Sequence, residues 1–394
     1  SNATDPNAGS TVNVAITGIT DDTGVSGTDL VTSDQTLVIS GNTANFTGVN
    51  GGAGDVVRVQ IINNASGSTA GNRTEYVKVD ANGNWSLDNQ ANTLDAGTYT
   101  LKADIVDAAG NPVKLGTDRT LTVQTAVDPN NNSNSAAAVL VTAITDDTGA
   151  SNADYITSDN VLSFSGTVTG YTANGDKVKV ELLAANGTTV IATAYVDVTV
   201  TSGNNGTWVW PYETLQTDGT YNVRATLVNT AGLRVNVGAT GTDTHALTID
   251  SHGGTNVGPN GSTSTDANTT ATVAITNISD DTGPGANDFV TKDTSLTYSG
   301  TVAGFTANGD KVKVELIGTT GTVFTAYVDV TNVTNGNGTW TLDKSTISAT
   351  NPELASGKYT IRATIVDVPG NQVNTGTGGQ ATQTLIVDNS AGTN

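Results

Sequence analysis

The sequence has no cysteine and no methionine, and aromatic residues make up only 5% of its 394 residues. The absence of cysteine excludes a disulfide-stapled scaffold and thiol chemistry, although it does not fix the compartment. No stretch approaches the ~18 consecutive apolar residues of a spanning helix, so we expect no direct membrane insertion. There is no Gly-x-Ser-x-Gly elbow and no phosphate-binding loop, which argues against an enzyme.

Basic residues are also scarce. Lysine and arginine total 16 against 37 acids, which gives a net charge of −21 and argues against nucleic acid or an anionic membrane as partner. Only five of the acids are glutamate, and the other 32 are aspartate. Glutamate is the acid that suits helices, whereas aspartate favours turns and calcium loops. The composition therefore predicts an all-β protein with many turns.

One acidic pattern occurs three times along the chain. Each copy has an aspartate followed by others at +1, +8 and +13: Asp21, Asp22, Asp29 and Asp34; Asp146, Asp147, Asp154 and Asp159; Asp280, Asp281, Asp288 and Asp293. A spacing kept in this way marks an internal repeat. Four crowded carboxylates repel one another unless they are neutralised, and oxygen ligands in loops suit Ca²⁺ better than zinc or copper. The alternative is a solvated turn rich in Asp and Gly.

Alternation of apolar and polar residues predicts about seven short strands in each repeat, as in Val57, Val59 and Ile61. This density of strands and turns is typical of a β-sandwich, and a unit of ~115 residues can bury one such core. The predicted boundaries are 11–125, 138–250 and 271–388 for the domains, 126–137 and 251–270 for linkers, and 389–394 for a tail. Residues 1–10 are assigned to a tag remnant (Ser1–Ala3) and a leader, so we expect a segment of a longer protein.

A few residues could indicate a binding site instead. Trp208 and Trp210, with Tyr212 close by, form an aromatic cluster that is unique to the second unit. Strand alternation places both tryptophans on one face, which favours core packing over ligand binding. The two histidines, His245 and His252, are interpreted as loop residues and not as zinc ligands.

The repeats resemble tandem bacterial Ig-like domains. The motifs are Ile-Thr/Ser-Asp-Asp-Thr-Gly, Asp-x-x-Thr-x-Asp, the Gly-x-Tyr strands of Tyr99, Tyr221 and Tyr359, and an Asp-x-x-Gly-Asn turn. Such domains build the extender regions of calcium-dependent, type I-secreted RTX adhesins and large repetitive biofilm surface proteins. The resemblance implies three sandwiches arranged end to end, a tyrosine corner in each, and calcium at loops and domain junctions.

The resemblance adds further metal candidates at the junctions. These are the turn residues Asp107, Asn111, Asp367 and Asn371, and the acids that close the last strands, Asp250 and Asp388. The pattern is broken at three positions, where Asn229 and Leu233 replace the turn ligands and Gln124 replaces the closing acid. We expect each acidic loop and closing residue to face the turn of the next unit. Because fewer anionic oxygens bind calcium more weakly, the second joint should be the stiffer one in calcium.

The expected function is therefore a stalk. The chain would be an extracellular segment on a bacterial surface, rigidified by Ca²⁺, that holds a ligand-binding tip away from the cell for adhesion or biofilm formation. Its expected partners are the neighbouring repeats of the same chain, and it is expected to be a monomer. Two alternatives remain: a module that binds a glycan or protein, and an accessory array of a secreted enzyme.

Overall fold

Short strands separated by turns make up almost all of the computed structural model, which describes residues 6–8, 11–47, 54–125, 132–257, 262–285, 287–343 and 353–390. These residues form 29 strands and 3-10 turns at Pro6–Ala8 and Ala239–Gly241, and they contain no α-helix. The all-β prediction is thus confirmed. The predicted tag remnant, residues 126–131 of the first linker and the end of the tail at 391–394 lie outside the described residues.

The first unit contains nine strands in two sheets. They are β1 (Asn13–Ile19), β2 (Val31–Thr32), β3 (Val38–Ala44), β4 (Val56–Asn63), β5 (Arg73–Val77), β6 (Asn84–Asp88), β7 (Gly97–Val106), β8 (Pro112–Leu115) and β9 (Arg119–Val123). One sheet has the order β1-β3-β6 and the other the order β2-β9-β7-β4-β5, with β8 paired to β7. The prediction of about seven strands missed β2 and β8, which are too short to show an alternating pattern.

The second unit has the same plan. Its strands are β10 (Ala138–Ile144), β11 (Ile156–Thr157), β12 (Phe164–Thr169), β13 (Lys177–Ala184), β14 (Val190–Val196), β15 (Thr199–Val200), β16 (Asn205–Trp210), β17 (Gly219–Val228) and β18 (Thr242–Ile249). The sheets have the orders β10-β12-β16-β15 and β11-β18-β17-β13-β14. A hairpin of β19 (Thr255–Val257) and β20 (Thr263–Thr265) follows, within the segment predicted as a linker.

The third unit repeats the second strand for strand. It contains β21 (Thr272–Ile278), β22 (Val290–Thr291), β23 (Tyr298–Ala303), β24 (Lys311–Gly318), β25 (Gly321–Asp329), β26 (Thr331–Thr334), β27 (Asn337–Leu342), β28 (Gly357–Val366) and β29 (Gln380–Val387). Its sheets have the orders β21-β23-β27-β26 and β22-β29-β28-β24-β25. The sequence similarity between these two units therefore reflects an identical topology.

Each unit buries its own apolar core between its two sheets, so the chain forms three β-sandwiches. The tryptophan of each core packs on a glycine of the neighbouring strand. A Cβ on Gly166 would lie 2.5 Å from the Trp208 ring and 1.9 Å from the carbonyl oxygen of Leu140. Only glycine leaves room for both contacts, and Gly41 and Gly300 have the same role.

The predicted tyrosine corners are present in all three units. The hydroxyl groups of Tyr99, Tyr221 and Tyr359 each donate a hydrogen bond to a backbone carbonyl four residues earlier, at 2.9, 2.7 and 2.9 Å. Each bond holds the segment that leads into the long strand of the unit. This is the structural role that a tyrosine corner has in a sandwich.

The two ends of each unit carry different loops. In the second unit β17 and β18 are antiparallel, with Gly219 opposite Ile249, so the turn after β17 lies at the end remote from Ile249. The short strand within the acidic loop, β11, pairs in parallel with the close of β18, with Thr157 opposite Ile249. The acidic loop and the close of the last strand therefore share one end, the exit end. The turn at 229–233 lies at the entry end.

Candidate interdomain metal sites and joints

The acidic loops, residues 20–34, 145–159 and 279–293, have the same hydrogen-bond pattern in all three units. The second aspartate accepts a backbone N–H through Oδ2 from the residue eight positions later, at 3.1 Å in each loop. The acceptors are Asp22, Asp147 and Asp281. The donors are Leu30, Tyr155 and Phe289, and their φ angles of 61°, 61° and 59° are left-handed. This rare conformation fixes the backbone and turns the loop over the aspartate.

The other oxygen of the same aspartates is buried without a partner. Oδ1 of Asp22, of Asp147 and of Asp281 has no hydrogen-bond partner in the described structure. Burial raises the pKa of Asp147, and the neighbouring carboxyl of Asp154 adds to the rise. Burial also raises the pKa of Asp22, next to Asp29. A buried carboxylate oxygen without a donor, beside a second carboxylate, is an arrangement that a cation would neutralise.

The first and last acids of each pattern shape the loop instead. Asp21, Asp146 and Asp280 have φ angles of 50°, 49° and 50°, and their backbone carbonyls accept a threonine hydroxyl at 2.6 Å. The last acids accept a backbone N–H two residues later, at 2.9, 3.0 and 3.1 Å for Asp34, Asp159 and Asp293. The acids at +8 accept the same kind of bond, at 3.1, 3.0 and 3.1 Å for Asp29, Asp154 and Asp288. What distinguishes Asp29 and Asp154 from the last acids is that each also lies beside the carboxylate at +1.

Among the described residues, no three His, Asp or Glu side chains form a group that could hold a metal ion by themselves. In the first two loops the acid at +8 lies close enough to the acid at +1 for its charge to raise the pKa of that acid, Asp29 for Asp22 and Asp154 for Asp147. Calcium takes six to eight oxygen ligands, including backbone carbonyls and water, so a pair of carboxylates is a partial donor set that fits calcium. It does not fit zinc, which prefers nitrogen and sulfur.

At the first joint, the exit end of the first unit lies against the entry turn of the second. The backbone N–H of Val25 donates to the Thr230 carbonyl at 3.0 Å. Asn229 Nδ2 donates to Gln124 Oε1 at 2.8 Å. A Cβ on Gly24 would lie 2.6 Å from the Thr230 carbonyl oxygen, so the two backbones meet where glycine permits it.

At the second joint the same ends meet. Thr148 Oγ1 donates to the Pro369 carbonyl at 2.7 Å, and Asn371 Nδ2 donates to the Asp250 carbonyl at 2.7 Å. Gly149, in the acidic loop, lies against Gly370. The structure therefore places the first two acidic loops and their closing residues opposite the entry turn of the next unit, as the sequence analysis expected.

Buried carboxylates are concentrated at the second joint. Asp250 and Asp367 are each only 4% exposed. Burial raises the pKa of Asp367 to about 7, and the charge of Asp250 adds to the rise. Burial also raises the pKa of Asp250, with a contribution from Asp218. The sequence analysis missed Asp218, whose carboxylate accepts from Ser251 and contacts His252 Nδ1 at 2.7 Å.

The remaining candidates lie at the outer ends of the first and third units. Asn111 Nδ2 donates to Asp107 Oδ2 at 2.9 Å, and this bond holds the pKa of Asp107 below its ordinary value. Asp388 is exposed and donates its backbone N–H to the Thr291 carbonyl at 2.8 Å. These residues repeat the local geometry of their counterparts at the joints.

The sequence profile of the bacterial Ig-like domain family matches residues 10–125 and 134–251, more than half of the chain. The chain belongs to the bacterial Ig-like domain family. The third Ig-like domain lies outside the matched ranges and has the strand order of the second. Among the described residues, no helix has the length and apolar character needed to cross a membrane. No curated protein matches the sequence.

Several solved structures are similar to this tandem of Ig-like domains. One is a four-repeat segment from the extending region of a large adhesion protein, with 20% identity, a TM-score of 0.20, and coverage of 96% of this chain and 74% of the other. A structure of a 1.5-MDa bacterial ice-binding adhesin has 18% identity, a TM-score of 0.22, and coverage of 96% and 98%. The BSP domain of a biofilm-associated protein has 13% identity and a TM-score of 0.18, and the match covers 95% of this chain and 80% of the other.

A buried asparagine precedes each Ig-like domain, and the sequence analysis missed it. Asn134, which is fully buried, donates through Nδ2 to the Thr172 carbonyl, Asn174 Oδ1 and Asp176 Oδ2 at 2.9, 3.0 and 2.9 Å. Its Oδ1 accepts the Thr172 N–H at 2.6 Å. Equivalent bonds are made by Asn7 and Asn268. We call these residues asparagine latches, because each fixes the incoming chain to the loop before the fourth strand.

The asparagine latches lie in segments whose sequence composition is typical of coil. Asn134 and Asn268 fall within the predicted linkers 126–137 and 251–270, where composition is dominated by small polar residues. A signal was present, since Asn134 and Asn268 each precede an Asn-Gly-Asp turn by the same distance along the chain. Recognising it requires knowing that the turn folds back over the incoming chain.

The aromatic and histidine interpretations have different outcomes. Trp208 and Trp210 are 1% and 8% exposed and belong to the core, so core packing is confirmed. The assignment of His245 to a loop is wrong, because it lies in β18 with its ring stacked on Tyr155 at a centroid distance of 4.5 Å. Strand pairing with β17 places it there. His252 lies after the last strand, as expected.

Proposed function

We propose that these Ig-like domains form a structural extender segment of a bacterial cell-surface adhesin, which projects a ligand-binding tip away from the cell. The observation that carries this proposal is the pair of joints. In both, the exit end of one domain contacts the entry end of the next, through Thr230 at the first and Pro369 at the second. Successive domains then add to the length of the chain, which is what a spacer requires.

The proposal includes no catalytic step, and it places the chain outside the cell. The tryptophans that could have formed a ligand platform, Trp208 and Trp210, are buried in the core. The binding-module alternative thereby loses the feature that supported it. The same joints would also serve an array that spaces the catalytic domain of a secreted enzyme. The sequence on either side of this chain distinguishes that alternative from an adhesin.

Small-angle scattering of the full chain tests the spacer. The expected result in millimolar calcium is an elongated particle whose longest dimension approaches the summed length of three sandwiches. A compact particle in calcium would contradict the role. The matched control is the same protein in EGTA, in which the joints lose any contribution from calcium and the distribution of dimensions should broaden.

Calcium is the second part of the proposal. We assign the loop ligands to the converging pairs, such as Asp147 with Asp154, because Asp147 Oδ1 is buried and lacks a donor. If calcium binds only the folded loop, the free energy of unfolding rises by about 2.7 kcal/mol per site at a hundredfold excess over Kd. The melting temperature should therefore be higher in calcium than in EGTA. Mg²⁺ should substitute poorly because it gives up its water reluctantly.

The loop roles predict which substitution removes the calcium effect. Asp147→Asn deletes a charge of the converging pair and should reduce the calcium-dependent rise in melting of the second domain. Asp159→Asn keeps an oxygen that can accept the Val161 N–H and should leave that rise nearly intact. Equal melting temperatures of the wild-type protein in calcium and in EGTA would refute the metal assignment.

A further inference from the structure

Matched positions at the two joints carry side chains of different charge. Gln124 and Asp250 both follow the last strand of a domain, and each donates its backbone N–H to a threonine carbonyl at 2.9 Å. Asn229 and Asp367 both open an entry turn, and each donates its N–H to the carbonyl four residues later, at 2.9 and 3.0 Å. The first joint thus has two amides where the second has two carboxyls.

The amide pair is complete by itself. Asn229 Nδ2 donates to Gln124 Oε1 at 2.8 Å, and Asn229 is 9% exposed. Asn229 Oδ1 accepts the N–H groups of Ala231 and Leu233 at 3.0 and 2.9 Å. The buried amide therefore has partners for both of its ends and carries no charge. We name this Gln124–Asn229 contact the amide clamp.

The carboxyl pair has no such solution. Asp250 and Asp367 are each 4% exposed, and ionised carboxylates only accept hydrogen bonds, so they cannot bond to each other. Asp367 takes its hydrogen bonds from Asn371 of its own turn. The imidazole of His252 is hydrogen-bonded to Asp218. Bringing the two acids together in their ionised forms therefore requires a positive charge that the Asp250–Asp367 pair does not itself supply.

We propose that the amide clamp closes the first joint without any cation, whereas the second joint closes only when a divalent cation neutralises Asp250 and Asp367. The inference rests on the proposed calcium binding for the identity of the cation, but the amide clamp itself does not depend on it. The chain would then combine one permanent joint with one cation-gated joint. In the absence of calcium the first joint is the stiffer of the two.

Distance measurements between paired spin labels test this on the full chain. Because the sequence has no cysteine, two introduced cysteines are the only labelling sites. The exposed residues Thr74, Thr193 and Thr325 lie on the edge strands β5, β14 and β25 of the three domains. The pair T74C/T193C reports on the first joint and T193C/T325C on the second. In EGTA the first pair should give a narrow distance distribution and the second a broad one, and calcium should narrow the second alone.

Exchanging the two pairs of residues separates charge from the rest of the interface. The double variant D250Q/D367N installs the amides at the second joint, and its distribution should be narrow in EGTA and unchanged by calcium. The double variant Q124D/N229D should broaden the first joint in EGTA and make it respond to calcium. Melting of each variant in both buffers verifies that the domains themselves remain folded.

The outcomes separate this inference from the calcium proposal. A broad first joint in EGTA, or a second joint that is already narrow in EGTA, would overturn the inference whatever calcium does to melting. Wild-type melting that does not respond to calcium would instead remove calcium as the cation. In that case a narrow first joint and a D250Q/D367N variant with a narrow second joint would still support the amide clamp.

Discussion

Replacing Asn134 with alanine should destabilise the second Ig-like domain, although the residue lies outside every strand. The substitution removes the two Nδ2 hydrogens, which are shared among three acceptors, and one hydrogen bond accepted by Oδ1, so it removes the equivalent of three hydrogen bonds. One of the three acceptors is the carboxylate of Asp176, which is 5% exposed. A net value near 1 kcal/mol per neutral bond, and more for the charged one, gives a loss of about 4 kcal/mol.

Hydrogen exchange resolved by peptide is the suitable assay, because it reports on each domain separately. A loss of about 4 kcal/mol lowers the protection of the slowest amides in β13 and β17 by several hundredfold, at roughly tenfold per 1.4 kcal/mol. The first and third domains should keep their protection. The same change at Asn268 should move the effect to the third domain.

Asn186→Ala is the matched control. Its side-chain oxygen accepts two backbone N–H groups, from Thr188 and Thr189, where that of Asn134 accepts one, but Asn186 lies in an exposed turn where water can replace the lost bonds. Its cost should stay within about 1 kcal/mol. If Asn134→Ala costs no more than this control, or if lost protection is confined to residues 132–137, the asparagine latch does not stabilise the domain.

Three other predictions concern packing, hydrogen bonding and charge within the domains. Gly166→Ala should cost at least about 3 kcal/mol in chemical denaturation, because its Cβ collides with a backbone oxygen and the Trp208 ring, and an unchanged midpoint would refute that packing. Tyr359→Phe should cost about 1 kcal/mol in the same assay, confined to the third domain, by removing the corner hydrogen bond. Burial raises the pKa of Glu181, but Lys179 and Arg224 lower it by more, so the pKa lies below its ordinary value of 4.5. The ionised carboxylate therefore stabilises the folded protein above pH 4.5, and this stabilisation is lost as the pH falls through the pKa of the folded state. Glu181→Gln should therefore flatten the acid side of the stability profile, and an unchanged profile would contradict this.

The fold follows from local patterns that the sequence states directly. Alternation in segments such as Lys177–Ala184 indicates which residues face the core, and the structure buries Val178, Val180 and Leu182. The triple repeat gives the number of sandwiches. Strands of two residues, such as β11, were not predictable, because they exist only through pairing with a strand far along the chain.

The candidate site was predictable only in outline. The spacing of the aspartates located the acidic loops and the ends that meet at each joint. It could not show that Asp147 points into the loop while Asp159 accepts the N–H of Val161, since that depends on left-handed residues such as Asp146 and Tyr155. In the sequence the amide clamp is visible only as a loss of ligands, because a sequence shows which residues change and not whether their replacements bond to each other.

The opposite placement of the first and last strands determines how such a chain responds to tension. In the second domain β10 starts at the entry end and β18 stops at the exit end, so a pull on the two termini acts along both strands in opposite directions. Interstrand hydrogen bonds along β10 and β18 are then sheared together instead of being opened one after another. On the entry side the load meets the hydrogen bonds of Asn134 before it meets β10, so the asparagine latch is the first attachment of the domain to come under tension.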